Sequence, residues 1–478
     1  MNDAFDRPRL PNLNARQTRA LRLCGGILLG ALLSAAQVAQ ADNPATIPAT
    51  GPDSLSWHGI TLYGIIDLGL QYDTHGAPFS DYHPAGSSNI VQKNSRQSVT
   101  GVTPSNLSQS RVGLQGLEPI AADWSAVFKV ETFFNPQSGE ISDALKSMTQ
   151  NNGRSAGSQT TNLDSSVAGQ PFQTAYVGIT NPMFGILTFG RQLTLLADGI
   201  AKYDPNYASQ AFSLIGMSGT YAGGGDTEDR RLDSSLKYQI GFADVGRFGL
   251  LYKFNGSNGG SNTAVQADIG FDFAGFSADA YYSKVKDAIS ASPLSSSQVS
   301  GLPVGYSLSN SLSATISDNT AYSLMASYKL DDMFKFLIGY EHVQYANPST
   351  PLAAGFEDIG GYNLAYVSNT AYDMDKVLQV YWVGVRYTVL PGLDLTAAYY
   401  GYQQNAYGTG ADANCNTSAH GSCAGRFEAF SFDAVYAFNK RFDGYVGAMY
   451  SDVFNGVANG YDFYRNNLNP TIGVRFKF

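Results

Sequence analysis

Histidine and cysteine are the residues through which a chain could most readily hold a metal or activate a nucleophile, and this sequence uses both sparingly. Its histidines, His58, His75, His83, His342 and His420, show no pair at helical metal-binding spacing, and no two cysteines stand close enough to form a zinc knuckle. Gly223-Gly224-Gly225 is not followed by the Lys-Ser/Thr of a phosphate-cradling loop. No Ser/His/Asp constellation can be pointed to at a strand end. The sequence therefore indicates no catalytic residues, no metal and no cofactor. What remains is single charges set among apolar and aromatic neighbours. The chemistry open to them is electrostatic: to attract, orient or repel a solute.

The elements that position those charges read as strands. Trp124, Ala126, Phe128, Val130 and Phe134 alternate with Asp123, Ser125, Lys129 and Glu131. Val265, Ala267, Ile269, Phe271 and Phe273 alternate with Gln266, Asp268 and Asp272, and Phe430, Phe432, Ala434, Tyr436 and Phe438 with Ser431 and Asp433. Strand side chains point to opposite faces with period two, so one face of each segment is apolar and the other polar or charged. Sixteen such segments run from 60–72 to 467–478. Connections alternate between tight (Asn181 to Phe184, Leu330 to Asp332, Leu390 to Gly392, Asn439-Lys440) and long (about 73–108, 135–171, 194–230, 286–318, 346–375 and 405–426). The segments near 172–193 alternate poorly. The pattern predicts an all-β fold, a 16-stranded antiparallel transmembrane β-barrel with short turns at one end and long outer loops at the other. A soluble β-sandwich or β-helix fits less well, because it needs neither such long strands nor aromatics at their ends.

Composition agrees. The chain carries 51 Gly, 30 Tyr and 27 Phe with only 14% charged residues, and its mean hydropathy is slightly negative. Half of each barrel strand faces lipid and half faces water, so the average is unremarkable. Residues 1–41 read as a cleaved signal peptide: five arginines from Arg7 to Arg22, a short apolar core from Gly25 to Ala36, then Ala39-Gln40-Ala41. Residues 42–58 read as a short periplasmic leader and 59–478 as the barrel. Without residues 1–41, which hold five Arg and two Asp, 25 Lys+Arg face 37 Asp+Glu, a formal charge of −12 against −9 for the whole chain. That balance argues against a nucleic-acid partner. Cys415 and Cys423, in a Gly/Asn/Ser-rich stretch of an exported protein, read as one local disulfide, with free thiols the alternative.

The last strand, 467–478, sets Ile472, Val474, Phe476 and Phe478 on one face and Gly473, Arg475 and Lys477 on the other. Its end resembles the signal (Phe478, Phe476, Val474) that outer-membrane barrels present to the barrel assembly machinery. Leu62-Tyr63-Gly64-Ile65-Ile66-Asp67, Ser110-Arg111-Val112-Gly113-Leu114-Gln115-Gly116 with Glu118, Ala175-Tyr176-Val177-Gly178-Ile179, Phe189-Gly190-Arg191-Gln192, and Arg231 to Tyr238 resemble, in order, strands of the Gram-negative general porins, especially the β-proteobacterial type.

That resemblance implies a homotrimer in the bacterial outer membrane, among lipid and lipopolysaccharide, that passes small hydrophilic solutes and ions by passive diffusion. It implies a third loop, here about 194–230, folded inward as a constriction and carrying Asp198, Asp204, Asp226, Glu228 and Asp229. Arg111, Arg191 and Arg231 match family motifs and become, with Lys129, the candidate lumen cations; Gln173 stands where the family often brings an Arg. For each cation the plainer reading is a brace paired to a neighbouring carboxylate. Two other functions are weighed: a substrate-specific channel, for which Tyr63, Tyr281, Tyr400 and Tyr402 could line an aromatic slide, and a barrel whose long loops serve as adhesin or receptor.

Overall fold

The computed structural model of the chain describes residues 55–75, 98–137, 139–141, 172–215, 231–243, 245–254, 263–287, 289–291, 314–316, 318–347, 349, 373–415, 423–456 and 465–478. The wall is made by β1 (Ile60–Asp73), β2 (Arg111–Ala121), β3 (Trp124–Asn135), β4 (Phe172–Asn181), β5 (Gly185–Leu193), β6 (Arg231–Phe242), β7 (Gly246–Lys253), β8 (Ala264–Phe273), β9 (Phe276–Val285), β10 (Asp318–Lys329), β11 (Phe334–Ala346), β12 (Lys376–Leu390), β13 (Leu393–Gln404), β14 (Gly425–Ala437), β15 (Phe442–Asn455) and β16 (Thr471–Lys477). Each strand pairs antiparallel with the next, and β16 returns to β1 through Ile66↔Phe476 and Leu68↔Val474. The sheet is thus a closed barrel of 16 strands. Closure leaves no unpaired edge, the condition for strands to cross a bilayer. Among the described residues no helix is long and apolar enough to do so.

The period-two pattern fixes which side of each strand meets lipid. On β11, Phe336 and Ile338 are 46% and 57% exposed while Leu337 between them is 1% exposed. At the turn end the outward aromatics stack across strands, Trp124 on Phe184 and Phe334 on Tyr387, as an interfacial belt does. Three of the tight turns share one device. The side-chain oxygens of Asn181, Asp331 and Asn439 each accept from the backbone N–H groups two and three residues on.

Several wall glycines leave room for an aromatic ring from the facing strand. A Cβ on Gly339 would stand 2.0 Å from the Trp382 ring, and one on Gly64 would stand 2.3 Å from Phe478. Phe478 also closes the seam, donating to the Gly64 carbonyl (3.1 Å) and accepting from the Gly64 N–H (3.0 Å).

The segment 98–108 departs from the sequence expectation of a loop, and the second strand begins at Arg111 rather than at 109. Val99–Pro104 is a strand paired to the upper half of β1, and β2 pairs to its lower half. Between them residues 105–110 form an inset, with Ser105 at φ 59°. The wholly buried Asp67 holds it: its carboxylate accepts from the Leu107 and Ser108 N–H groups at 2.8 Å and from the Tyr445 hydroxyl at 2.6 Å. Leu55–Trp57 is a further short strand paired to the start of β1, within the stretch read as leader. The poor alternation near 172–193 has a cause, since the register shifts between Glu131 and Thr132 and again between Gly190 and Gln192.

Candidate lumen site and inward loop

Residues 194–215 leave β5 and lie inside the barrel. Helix α1 (Leu195–Tyr203) starts at Thr194, whose hydroxyl accepts from Ala197 N at 3.0 Å, and has Asp198 in its first turn and Lys202 in its last, both favourable to the helix dipole. Its start is tied to the loop end of the wall, Leu195 N donating to Gln266 Oε1 at 2.8 Å. Its end reaches the turn end, where the Tyr203 hydroxyl donates to Asp279 Oδ2 at 2.6 Å. Nine helical residues at about 1.5 Å each cover such a descent. Leu195, Leu196, Ile200 and Tyr203 bury against inward side chains such as Leu251, Met325, Val343 and Trp382.

Beyond the helix the loop climbs back, and the wall grips it chiefly by its carbonyls. Trp382 Nε1 donates to Tyr203 O (3.0 Å), Arg386 Nε and Nη2 to Pro205 O and Asp204 O (2.6 and 2.5 Å), Tyr402 to Leu214 O (3.0 Å) and Asn469 Nδ2 to Ala211 O (3.2 Å). The inset completes the grip, since its Asn106 carbonyl accepts from Ala211 N at 3.0 Å. Of residues 195–215, only Asp198, Lys202 and Tyr207 are more than marginally exposed.

On the opposite wall, three of the expected lumen cations meet at one carboxylate. Glu131, fully buried on β3, lies 3.4 Å from Arg111 Nε, 3.7 Å from Lys129 Nζ and 3.7 Å from Arg231 Nη2. It accepts from the Tyr63 hydroxyl at 2.8 Å. Arg231 also spreads over the Phe133 ring, 4.6 Å from its centroid, and donates to Thr174 Oγ1. One carboxylate thus gathers three guanidinium or ammonium groups from three strands. In the sequence Glu131 is only a polar strand residue. Its partners come from β2, β3 and β6, so no local spacing reveals it.

Arg191 does not join this cluster. It sits at the β5–β6 register shift and pairs with Asp233 at 2.6 Å. Asp198 meets Lys237 Nζ at 2.5 Å. Asp204 is wholly buried and faces the loop's own turn, accepting from Tyr400 OH (2.6 Å), Ala208 N (2.6 Å) and Asn206 N (3.2 Å). Burial pushes the Asp204 carboxyl up from its ordinary pKa, against the pull of its hydrogen bonds. Burial likewise pushes the Lys202 ammonium down, with Asp279 opposing. Arg247 forks onto Asp279 (2.6 and 2.8 Å), pairs with Asp272 and donates to Tyr203, so the helix end is seated on an ion-pair network.

Tyr63 and Tyr400 are committed to carboxylates and Tyr402 to a loop carbonyl, while Tyr281 lies against the helix at Gly199, where a Cβ would stand 2.5 Å from its ring. They do not form a continuous slide. Cys415 and Cys423 are bonded, with Cα atoms 5.1 Å apart. Phe476 and Val474 face outward beside Phe478. His83, His420, Gly223–Gly225, Asp226, Glu228, Asp229 and residues 1–41 lie outside the described residues.

A closed transmembrane barrel with one segment folded against its inner wall is the architecture of an outer-membrane pore protein. The chain belongs to the Gram-negative porin family, whose model matches residues 29–456, and its place is the outer membrane. Over 200 residues it is 28% identical to an outer membrane porin protein of Bordetella pertussis, a match covering 42% of this chain and 43% of that one. The matched region is thus less than half the length of that relative. Among solved structures, an anion-selective porin from Comamonas acidovorans is similar with a TM-score of 0.57 at 16% identity, covering 88% of this chain and 99% of the other. The outer membrane channel DcaP of Acinetobacter baumannii (TM-score 0.53, 16% identity, 88% and 99% covered) and the outer membrane protein OmpT of Vibrio cholerae (0.53, 14%, 89% and 100%) share the fold.

Proposed function

We propose that this protein is a channel through which small hydrophilic solutes and ions cross the outer membrane by passive diffusion, with anions favoured at its narrow part. The observation that carries the preference is the gathering of Arg111, Lys129 and Arg231 on one side of the interior, about Glu131. A solute entering the interior meets fixed charges and hydrogen-bonding groups and must be held weakly enough to leave. Arginine suits such a wall because it stays charged and presents rigid donors. The loop opposite shows the passage Asp198, Lys202 and Tyr207, and Asp198 is compensated by Lys237. A similarly folded porin is described as anion-selective, which fits this reading.

The same reading makes the protein a homotrimer embedded among outer-membrane lipid and lipopolysaccharide. One of the similar Vibrio cholerae structures is a trimer form. Residues 1–41 would serve as the export signal, 42–58 as a leader and 59–478 as the barrel, with Phe478, Phe476 and Val474 addressing the assembly machinery. Planar-bilayer recording under a salt gradient tests the channel. Ohmic steps, grouped in threes, with a reversal potential on the anion side are the expected result. Absence of conductance by folded protein would overturn the proposal, and a reversal potential on the cation side would overturn its anion preference.

A further inference from the structure

The turn end of the interior holds a second group of cations, well below the Glu131 cluster. Strand register sets Lys329 opposite Lys335 and Lys335 opposite Arg386, so three positive side chains stand in one row across β10, β11 and β12. All three lie on inward faces, by the alternation that buries Ser327, Leu337 and Trp382. Like charges directly opposite on neighbouring strands repel, so the row needs compensation.

Two of the three have it. Lys329 Nζ meets Asp332 Oδ1 at 2.7 Å in the β10–β11 turn. Arg386 donates to the Asp204 and Pro205 carbonyls and lies over the Tyr207 ring, 3.2 Å from its centroid. Lys335 has no hydrogen bond or ion pair with any described residue. The charges acting on it are those of Arg386, Lys202 and Lys329, all positive, and one carboxylate, Asp272. Asp272 is already bonded to Arg247 and stands 3.9 Å from Lys202. The partly exposed Lys335 is thus an ammonium group in a positive field, its donors unused among the described residues.

We propose that Lys335, flanked by Lys202 and Arg386, is a second anion station at the turn end of the passage, taking the carboxylate or phosphate group of a solute in transit. It rests on the channel reading, and it extends that reading from one constriction to two stations in series. A small oxyanion supplies what the row lacks, since charge-assisted hydrogen bonds to Lys335 would offset the repulsion between its neighbours.

Thermal unfolding of the folded barrel in detergent, with and without inorganic phosphate, tests it. Without phosphate, K335Q should unfold no lower than the native protein, because the substitution removes a repelling charge. Phosphate should raise the midpoint of the native protein, of K335R and of R111Q. In K335Q the phosphate needed for the same rise should increase about tenfold, as for loss of one charge-assisted contact. A K335Q protein destabilised in phosphate-free buffer would show that Lys335 is satisfied internally, and equal phosphate responses in K335Q and the native protein would place the anion elsewhere; either result overturns the station. In bilayers, phosphate added at the turn end should reduce chloride current through the native channel and not through K335Q. Conductance without this effect overturns the station alone. Absence of conductance overturns the channel reading and leaves the unfolding test standing.

Discussion

The two halves of the inner wall follow one alternation rule and put it to opposite uses. From β7 round to β15, inward polar groups such as Arg247, Trp382, Arg386, Tyr400 and Tyr402 are engaged in seating the loop, and the apolar ones bury under its helix. From β1 to β6, Arg111, Lys129 and Arg231 gather on Glu131 instead. An inward-facing charge is therefore not informative by itself. What decides its role is whether a backbone segment or a carboxylate lies across from it.

Substitutions on the two walls should separate these roles. The largest effect is expected from Glu131→Ala, which removes the carboxylate shared by three cations. Breaking a buried ion pair by deleting one partner costs about 3–5 kcal/mol, so the thermal unfolding midpoint in detergent should fall steeply. A barrel that kept its native midpoint would mean that the three cations are held without Glu131. On the other wall, Arg386→Met deletes two charged hydrogen bonds to loop carbonyls, at about 1.5–3 kcal/mol for a bond to a charged group. Its signature should be a lowered midpoint and noisier open-channel current with the reversal potential little changed. Should the reversal potential move as far as in a cluster variant, the division between the walls fails.

Arg111→Gln should do the reverse, keeping the loop quiet and moving the reversal potential toward the cation side. One unit charge at about 4 Å in water-like surroundings is worth about 1 kcal/mol, or up to about fivefold in permeability ratio. The smallest effect concerns Lys202. Its folded pKa is below the ordinary value of 10.5, so the unfolded chain binds more protons between the two values. Stability should rise with pH through that alkaline window. Comparing midpoints across it should show a flatter slope in Lys202→Met, and equal slopes would remove Lys202 from the account.

Much of the barrel was legible because period two is a global rule that each strand repeats; Val265–Phe273 or Phe430–Phe438 alone states it. The residues that escaped are those where the rule is interrupted. Val99–Pro104 looks like loop in the sequence because the inset at 105–110 offsets it from Arg111, and the inset is held by Asp67, distant in sequence. Arg191 looked equivalent to Arg111 and Arg231, but the Gly190–Gln192 register shift carries it to Asp233. Asp204 was visible as a loop acid; that its oxygens are taken by Tyr400, Asn206 and Ala208 depends on residues nearly two hundred positions away as well as on its neighbours. Glu131 was hidden for the same reason, since a carboxylate becomes a hub only when distant strands close around it.

The way the loop is held has an evolutionary consequence. Trp382, Arg386, Tyr402 and Asn469 grasp main-chain carbonyls, which every residue type supplies. Side chains at the few positions open to the passage, Asp198, Lys202 and Tyr207, can therefore drift without unseating these contacts. A lineage of such chains could retune what it admits by single substitutions in the loop and inherit the same scaffold each time.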